Sequence, residues 1–435
     1  MCHGTTVSHG FVSISVKIIL YRLPRSGCSV LRPESTAKPM PAKKALPVKA
    51  KPPDSIWPER LRYFAARQDA VVNTIRELVE IESPSDNKAA TDRMGGFLAG
   101  MFEAIGGRAR LHHAEEFGDN LQVDFPGREK AKPVLLLGHF DTVYPSGTLE
   151  TMPCRVADGR LYGPGALDMK SGIALMLQVI EALEAWHRGL PRPVTVFLVS
   201  DEEVGSSSSR KVTESLARES AAVLVLEPAA GLRGAVKTAR KGVGEYRLTV
   251  SGVAAHAGLD PGKGHSAIVE LARQITALTN LNDLKRGISV NPGVIHGGTR
   301  SNVVAAEAAA DIDVRIKLAR QAAMVDRRLR SLKPFDKHCK LSIAGGVNRM
   351  PMERNAGVAA LYKKAQSIAR QIDWRLEEAA VGGGSDGNFT AGIGVPTLDG
   401  LGAVGLGAHA AHEHVVIEEL PRRALLLAGM IESVR

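Results

Sequence analysis

"PVLLLGHFDTV" (residues 133–143) decides the fold. Four apolar residues run without alternation after Pro133, and His139 and Asp141 stand at the exit. A strand is apolar on both faces only when both faces are covered, as in the parallel sheets of α/β proteins. "PVTVFLVS" (193–200) and "AAVLVLEP" (221–228) repeat the pattern. Between the first two, "SGIALMLQVIEALEAWH" (171–187) carries helical spacing. Upstream, "RLRYFAARQDAVVNTIRELVEI" and "KAATDRMGGFLAGMFEAIG" are helical by the same test. Strand–helix alternation predicts a mixed, mostly parallel sheet flanked by helices.

Past residue 240 the texture changes. "GEYRLTVSG" alternates like a half-exposed strand. A helix ("SAIVELARQITALTN"), two paired strands ("GISVNPGVIHGG", "SNVVAAEAAADIDVRI"), a helix near 318–332 and the strand "CKLSIAGG" complete a βαββαβ order. Helix 356–371, strand "PTLDGL" and helix 416–434 then return to the first style. The simplest organisation is one α/β domain (55–238 and 346–435) with an α+β domain (239–345) inserted. No internal repeat is visible.

Composition narrows the function. Charged residues make up 23% and hydrophobic residues 44% of 435, a globular balance. The net charge of +10 is concentrated: residues 1–53 hold nine Lys/Arg against one Glu. The rest is close to neutral, with only 4% aromatics and no basic patch. Neither nucleic acid nor a membrane is an expected partner. "AKPMPAKKALPVKAKPP" cannot bury enough apolar surface to fold alone, so 1–54 reads as a basic, disordered extension. A targeting segment and a mis-assigned start are the alternatives. Cys2, Cys28, Cys154 and Cys339 form no C-x-x-C, and the expected compartment is the reducing cytoplasm.

Acids and histidines gather where the strands end. His139 and Asp141 follow "VLLL", Glu202 and Glu203 follow "VFLVS", and Glu227 ends "VLVLE". Asp168 lies between a Gly-rich loop and a helix, and His409 in "GLGAHAAHEH" follows "PTLDGL". In open α/β sheets ligands bind at the carboxyl ends of strands, so these positions converge on one crevice. A lone H-x-D or D-E-E is ordinarily a solvated turn; the ordered set is what points to a site. His and carboxylate without thiolate suit Zn²⁺, with Mn²⁺ or Co²⁺ as substitutes. Two histidines and several carboxylates exceed one tetrahedral ion and suit a pair about 3.5–4 Å apart. In H-x-D the Asp lies on the same face as the His and can fix its tautomer.

With these residues assembled, residues 57–435 resemble the co-catalytic zinc family of glutamate carboxypeptidases, acetylornithine deacetylases, succinyl-diaminopimelate desuccinylases and aminoacylases. The motifs are "GHFDTV", "GRLYGPGALDMKSG", "SDEEVGSSSSR", "VLVLEPA", "GVAAHAG", "GGTRSNVV" and "GGGSDGNF". "KTARKGVGEYRLTVSG", "GGVNRMPMER" and "TLDGLGAVG" look most like the glutamate carboxypeptidase type. The resemblance implies a zinc aminopeptidase/phosphorylase-like catalytic domain with a ferredoxin-like dimerisation domain inserted, and two zinc ions per subunit. His139 and Glu227 would hold one ion, Glu203 and His409 the other, and Asp168 would bridge. Asp141 would orient His139, and Glu202 would be the general base. His256 would reach the partner subunit's active site of a homodimer. Asn302, Arg315, Arg349, Ser385 and Lys241 would lie near the substrate. His412 is the rival of His409, and His412 and His414 depart from the family pattern. Asp201 is assigned to loop hydrogen bonding.

The resemblance implies a hydrolase of amides next to a free carboxylate in a small peptide or N-acyl amino acid. A carboxypeptidase releasing C-terminal glutamate or a similar residue leads. An N-acyl-amino-acid deacylase is the alternative, and a catalytically silent binding protein on the same fold is a remote third.

Overall fold

The structure, a computed structural model, describes residues 56–434. The expected extension over 1–54, with Cys2 and Cys28, lies outside the described residues. The central sheet has six strands, in the order Arg108–His112, Asn120–Phe125, Val194–Val199, Val134–His139, Ala222–Val225 and Thr397–Leu398. The first two pairings are antiparallel and the remaining three parallel.

The unbroken apolar run at 134–137 has a direct cause. Val134 and Leu136 pack into a large core with the helices Gln68–Glu80, Ser171–His187 and Leu420–Ser433. Leu135 and Leu137 face the other way, onto Phe197, Val199, Val223, Val225 and Ala217 of helix Arg210–Glu219. Successive side chains point to opposite faces, and both faces are covered.

Val134–His139 lies between Val194–Val199 and Ala222–Val225. The chain moves to one neighbour and then crosses to the other. Connections at the carboxyl end therefore leave in opposite directions, which opens a crevice at His139.

The smaller sheet is antiparallel, in the order Ser289–Gly297, Glu307–Ile316, Gly242–Ser251, Lys340–Arg349. Tyr246, Leu248, Val250, Leu271, Leu278, Val314, Val325 and Leu329 belong to a second core of its own, shared with helices Ala267–Thr279 and Ala322–Arg330. Its last strand runs on past residue 345 and ends at Arg349.

Two elements differ from the sequence pattern. The first helical stretch divides into Trp57–Ala65 and Gln68–Glu80. No Gly or Pro marks the break; bending there lets Phe64 and Val71, Val72 and Ile75 enter the same core. In "PTLDGL" only Thr397–Leu398 pairs as strand, because Asp399 and Gly400 turn away to meet Lys237. Among the described residues, no helix is long and apolar enough to cross a membrane.

Candidate metal centre

Strand ends deliver the cluster. His139 is the last residue of the central strand and is 1% exposed. Its Nε2 is 3.1 Å from Asp168 Oδ1 and 3.5 Å from Glu227 Oε1. His409 Nε2 is 3.0 Å from Glu203 Oε1 and 3.6 Å from Asp168 Oδ2. Asp168 thus offers one oxygen to each imidazole, the disposition of a carboxylate able to bridge two ions. Donor atoms of His139, Asp168 and Glu203 all lie within 4.8 Å of one another.

Nitrogen and carboxylate oxygen are the donors of a borderline divalent cation, so the residues present fit a metal. The field fits too. Hydrogen bonds to Asp168 and Glu203 raise His409 to about 10. At His139 burial opposes the charged ring, yet hydrogen bonds to Asp141, Asp168 and Glu227 raise it well above its usual value. Asp168 responds in the opposite sense: burial works against its charge, and the two imidazoles hold it far below the usual carboxylate range. A field that binds protons this strongly attracts a divalent cation as well.

Asp141 is fully buried and organises the turn beneath the cluster. Its Oδ1 accepts the Glu202 N–H and its Oδ2 the Glu203 N–H, each at 3.2 Å, while Ser85 donates to Oδ2 at 2.7 Å. His139 Nδ1 lies 3.0 Å from the Asp141 backbone carbonyl and 3.4 Å from its carboxylate. The carbonyl is therefore the nearer acceptor of the ring N–H. Asp201 is also buried, and it accepts the Ser208 N–H at 2.7 Å within its own loop.

Glu202 points elsewhere than Glu203. Its Oε1 accepts from Arg349 Nη2 at 3.0 Å. Burial pushes its carboxyl well above the usual range, offset only in part by Arg349 and His139. Arg349 also donates to the Glu202 carbonyl, Ser206 and Asp386. Ser385 is buried, and its hydroxyl donates to Asp399 at 2.6 Å. Lys241 is half-buried and contributes its backbone: its N–H donates to Val381 and its carbonyl accepts from Asn388.

Three expected residues stand apart. His256 is exposed on the smaller unit, and its Nδ1 accepts the N–H groups of Gly258 and Leu259, both at 3.1 Å. The ring proton therefore sits on Nε2. Asn302 lies alongside, its carbonyl accepting from Ala257. Arg315 pairs with Asp313 at 2.7 Å. None of the three hydrogen-bonds or ion-pairs with the cluster in the same chain.

Two partners escaped the sequence reading. Arg240 is 4% exposed and donates to Glu227 Oε2 at 3.0 Å and to both oxygens of Asp399, at 2.6 and 3.1 Å. It restrains Glu227 from behind. Glu413 is fully buried. It accepts the N–H groups of Gly165, Leu167 and Asp168 at 3.1, 2.7 and 2.9 Å, and the Tyr144 hydroxyl at 2.6 Å. It thereby fixes the loop that presents Asp168. Its signal was an acid inside "HEHVV", masked by the histidines on either side. His412 is exposed, and His414 bonds to the His412 carbonyl and packs against Tyr162; neither meets the cluster.

The family model described as Peptidase family M20/M25/M40 matches residues 135–433. Carboxypeptidase G2 of Pseudomonas sp. (strain RS-16) is 30% identical over 372 residues, covering 84% of this chain and 89% of that protein. Succinyl-diaminopimelate desuccinylase of Delftia acidovorans is 30% identical over 331 residues, covering 69% and 81%. Among solved structures, a tripeptidase from Staphylococcus aureus superposes with a TM-score of 0.73 at 23% identity, covering 84% of this chain and 98% of that one. A dinuclear metal-binding peptidase from Bacillus subtilis superposes with a TM-score of 0.61 at 15% identity, covering 84% and 98%. At these identities the structures speak for the fold.

Proposed function

The chain belongs to peptidase family M20/M25/M40 and is a metallopeptidase or amidohydrolase of that family; from this premise we propose that it is a di-zinc carboxypeptidase releasing C-terminal glutamate or a similar amino acid. The observation that carries the reading is Asp168, one oxygen towards His139 and the other towards His409, with the half-buried Glu202 nearby. His139 and Glu227 would hold one ion, Glu203 and His409 the second, and Asp168 would serve both. Co²⁺ or Mn²⁺ would substitute. When bound, the ion pair acidifies water and polarises the scissile carbonyl.

The protein's own groups do the rest. Glu202 takes a proton from the attacking water and returns it to the leaving amine; burial keeps its proton affinity high enough to do both. Asp141 holds Glu202 and Glu203 in register through their backbone N–H groups. Arg349 provides a guanidinium beside the base for the substrate carboxylate, and Ser385 and Lys241 would line the substrate pocket with it. His256, its proton on Nε2, is the donor for the developing oxyanion and would come from the partner subunit, with Asn302 and Arg315 close by.

That role requires a homodimer built through the inserted domain over 239–345. Exposed Val294 and Ile295 on the edge strand and Ile268 and Val269 on the adjacent helix support one. Free Cys154 and Cys339 agree with a cytoplasmic protein.

A second reading, N-acyl-amino-acid deacylation, is favoured by the desuccinylase relative. Purified protein with Zn²⁺ should be assayed on folyl-glutamate, dipeptides and N-acyl amino acids. Preference for a substrate with a C-terminal glutamate supports the first reading. Turnover of N-acyl amino acids alone would replace it with the second.

A further inference from the structure

A second cluster of metal-ligating side chains shares no residue with the first and lies on the smaller sheet's side of the chain, at the base of the loop that bears His256. His265 Nδ1 is 2.7 Å from Asp336 Oδ2, and donor atoms of His265, Asp336 and His338 all lie within 4.8 Å of one another. We propose that these three residues form a separate site for a borderline transition ion, Zn²⁺ or its neighbours Ni²⁺ and Cu²⁺.

The backbone holds two of the ligands in place. His265 exchanges hydrogen bonds with Val253, N–H to carbonyl in both directions, at 2.9 and 2.8 Å. Asp336 sits in a segment tied to helix Ala267–Thr279: buried Glu270 accepts the N–H groups of Phe335 and Asp336 at 2.9 and 3.0 Å, and Gln274 donates to the Lys333 carbonyl. Asp336 Oδ1 accepts the His338 N–H at 2.9 Å, a turn that carries the His338 ring back over His265. The two rings stack with centroids 4.0 Å apart.

An ordinary surface ion pair explains His265 with Asp336. It leaves a third donor, the His338 imidazole, held within ligand reach of that pair. The two rings and the Asp336 carboxylate bring two imidazole nitrogens and one oxygen within ligand reach of a common point. Two nitrogens and one carboxylate oxygen are a transition-ion set rather than a Ca²⁺ or Mg²⁺ set, and water can complete the tetrahedron. Ligand atoms around zinc are about 3.3–3.6 Å apart when each bond is near 2.1 Å. Reaching that spacing requires His338 to turn out of the stack, and this ring is exposed, so no core packing is lost.

The bound ion would staple the base of the Val253–His265 loop to the 333–339 segment. The loop bears His256. Whether the ion binds is independent of the proposed function; any effect on turnover rests on it.

The test counts ions on the full-length protein, stripped with chelator, dialysed against ZnCl₂ and analysed for metal. Wild type should hold one more zinc per chain than His338→Ala. A His139→Ala/His409→Ala variant, depleted at the first cluster, should keep one ion that adding His338→Ala removes. In the depleted variant Cu²⁺, which binds such donors more tightly than Zn²⁺, should show electron-paramagnetic coupling to two imidazole nitrogens, and with His338→Ala to no more than one. Equal zinc counts with and without His338, on protein folded by circular dichroism, overturn the proposal. Failure of the first-cluster reading would look different: His139→Ala/His409→Ala would lose no zinc, while the step caused by His338→Ala would stand.

Discussion

The His139–Asp168–His409 cluster and the His265–Asp336–His338 cluster use the same residue types on different supports. The first lies at the carboxyl ends of parallel strands, with Glu202, Glu203, Glu227 and the fully buried Asp141 and Glu413 around it. The second lies where a loop meets a turn, with His265 about a quarter exposed and His338 exposed. Burial makes the difference chemical. In the first cluster it raises Glu202 well above its usual range, and carboxylate hydrogen bonds lift His409 to about 10. In the second, hydrogen bonds from the His338 N–H and His265 lower Asp336, on a group open to water. A buried cluster perturbs its members enough for acid–base chemistry, whereas an exposed one can only bind.

The largest effect is expected from Glu202→Gln: kcat/KM should fall by about 10³-fold or more, with the metal content unchanged. Metal analysis that finds an ion lost with Glu202 would make it a ligand instead of the base.

Arg240→Ala comes next. It leaves Glu227 and Asp399 buried without their guanidinium, a loss of about 3–5 kcal/mol by urea unfolding. A change below about 1 kcal/mol would mean that Lys237, 3.8 Å from Glu227, suffices.

His256→Ala should lower kcat by about 10²-fold, the cost of an oxyanion donor, without moving the urea midpoint. A shifted midpoint with kcat intact would reduce His256 to a loop residue.

The pH profile of chelator-treated protein sharpens the contrast. His409 binds its proton more tightly folded than unfolded. Its contribution to stability is therefore complete below about 6.5 and is lost as pH rises through about 10. Urea unfolding should show wild type losing stability relative to His409→Gln across that window, and parallel profiles would contradict it. Metal binding must displace the same proton, so apparent affinity should weaken towards acid.

Arg315→Ala should be the mildest. Its pair with Asp313 is about one-third exposed and contributes no more than about 1 kcal/mol. A KM effect without a stability effect would mark it as a substrate contact.

Much of the site was legible because metal chemistry needs particular residue types, and a covered parallel sheet presents them at strand ends. His139, Glu202, Glu203 and Glu227 each follow an apolar run, and four-residue apolar runs leave little choice of structure. The separate directions of Glu202, towards Arg349, and Glu203, towards His409, follow from adjacency, since neighbouring residues diverge. His409 was less secure, with His412 three residues away, and only contact with Glu203 and Asp168 separates them. Arg240 and Glu413 gave no usable signal. Each sits beside a residue of equal chemical promise, Lys241 or the flanking histidines, and which of two neighbours turns inward depends on packing.

The α/β pattern, the βαββαβ order around the smaller sheet and the candidate donor types were legible in the residues alone, because periodicity and residue chemistry are local properties. Tertiary structure decided the rest. It bent the first helical stretch so that both parts share one core. It turned Asp168 to face two imidazoles at once, and set Arg240, paired with Asp399, against Glu227 and Glu413 against the Asp168 backbone. It also laid His338 over His265 from 73 residues away. These outcomes depend on which distant groups share a buried space, where an unsatisfied charge costs several kcal/mol and must find its partner.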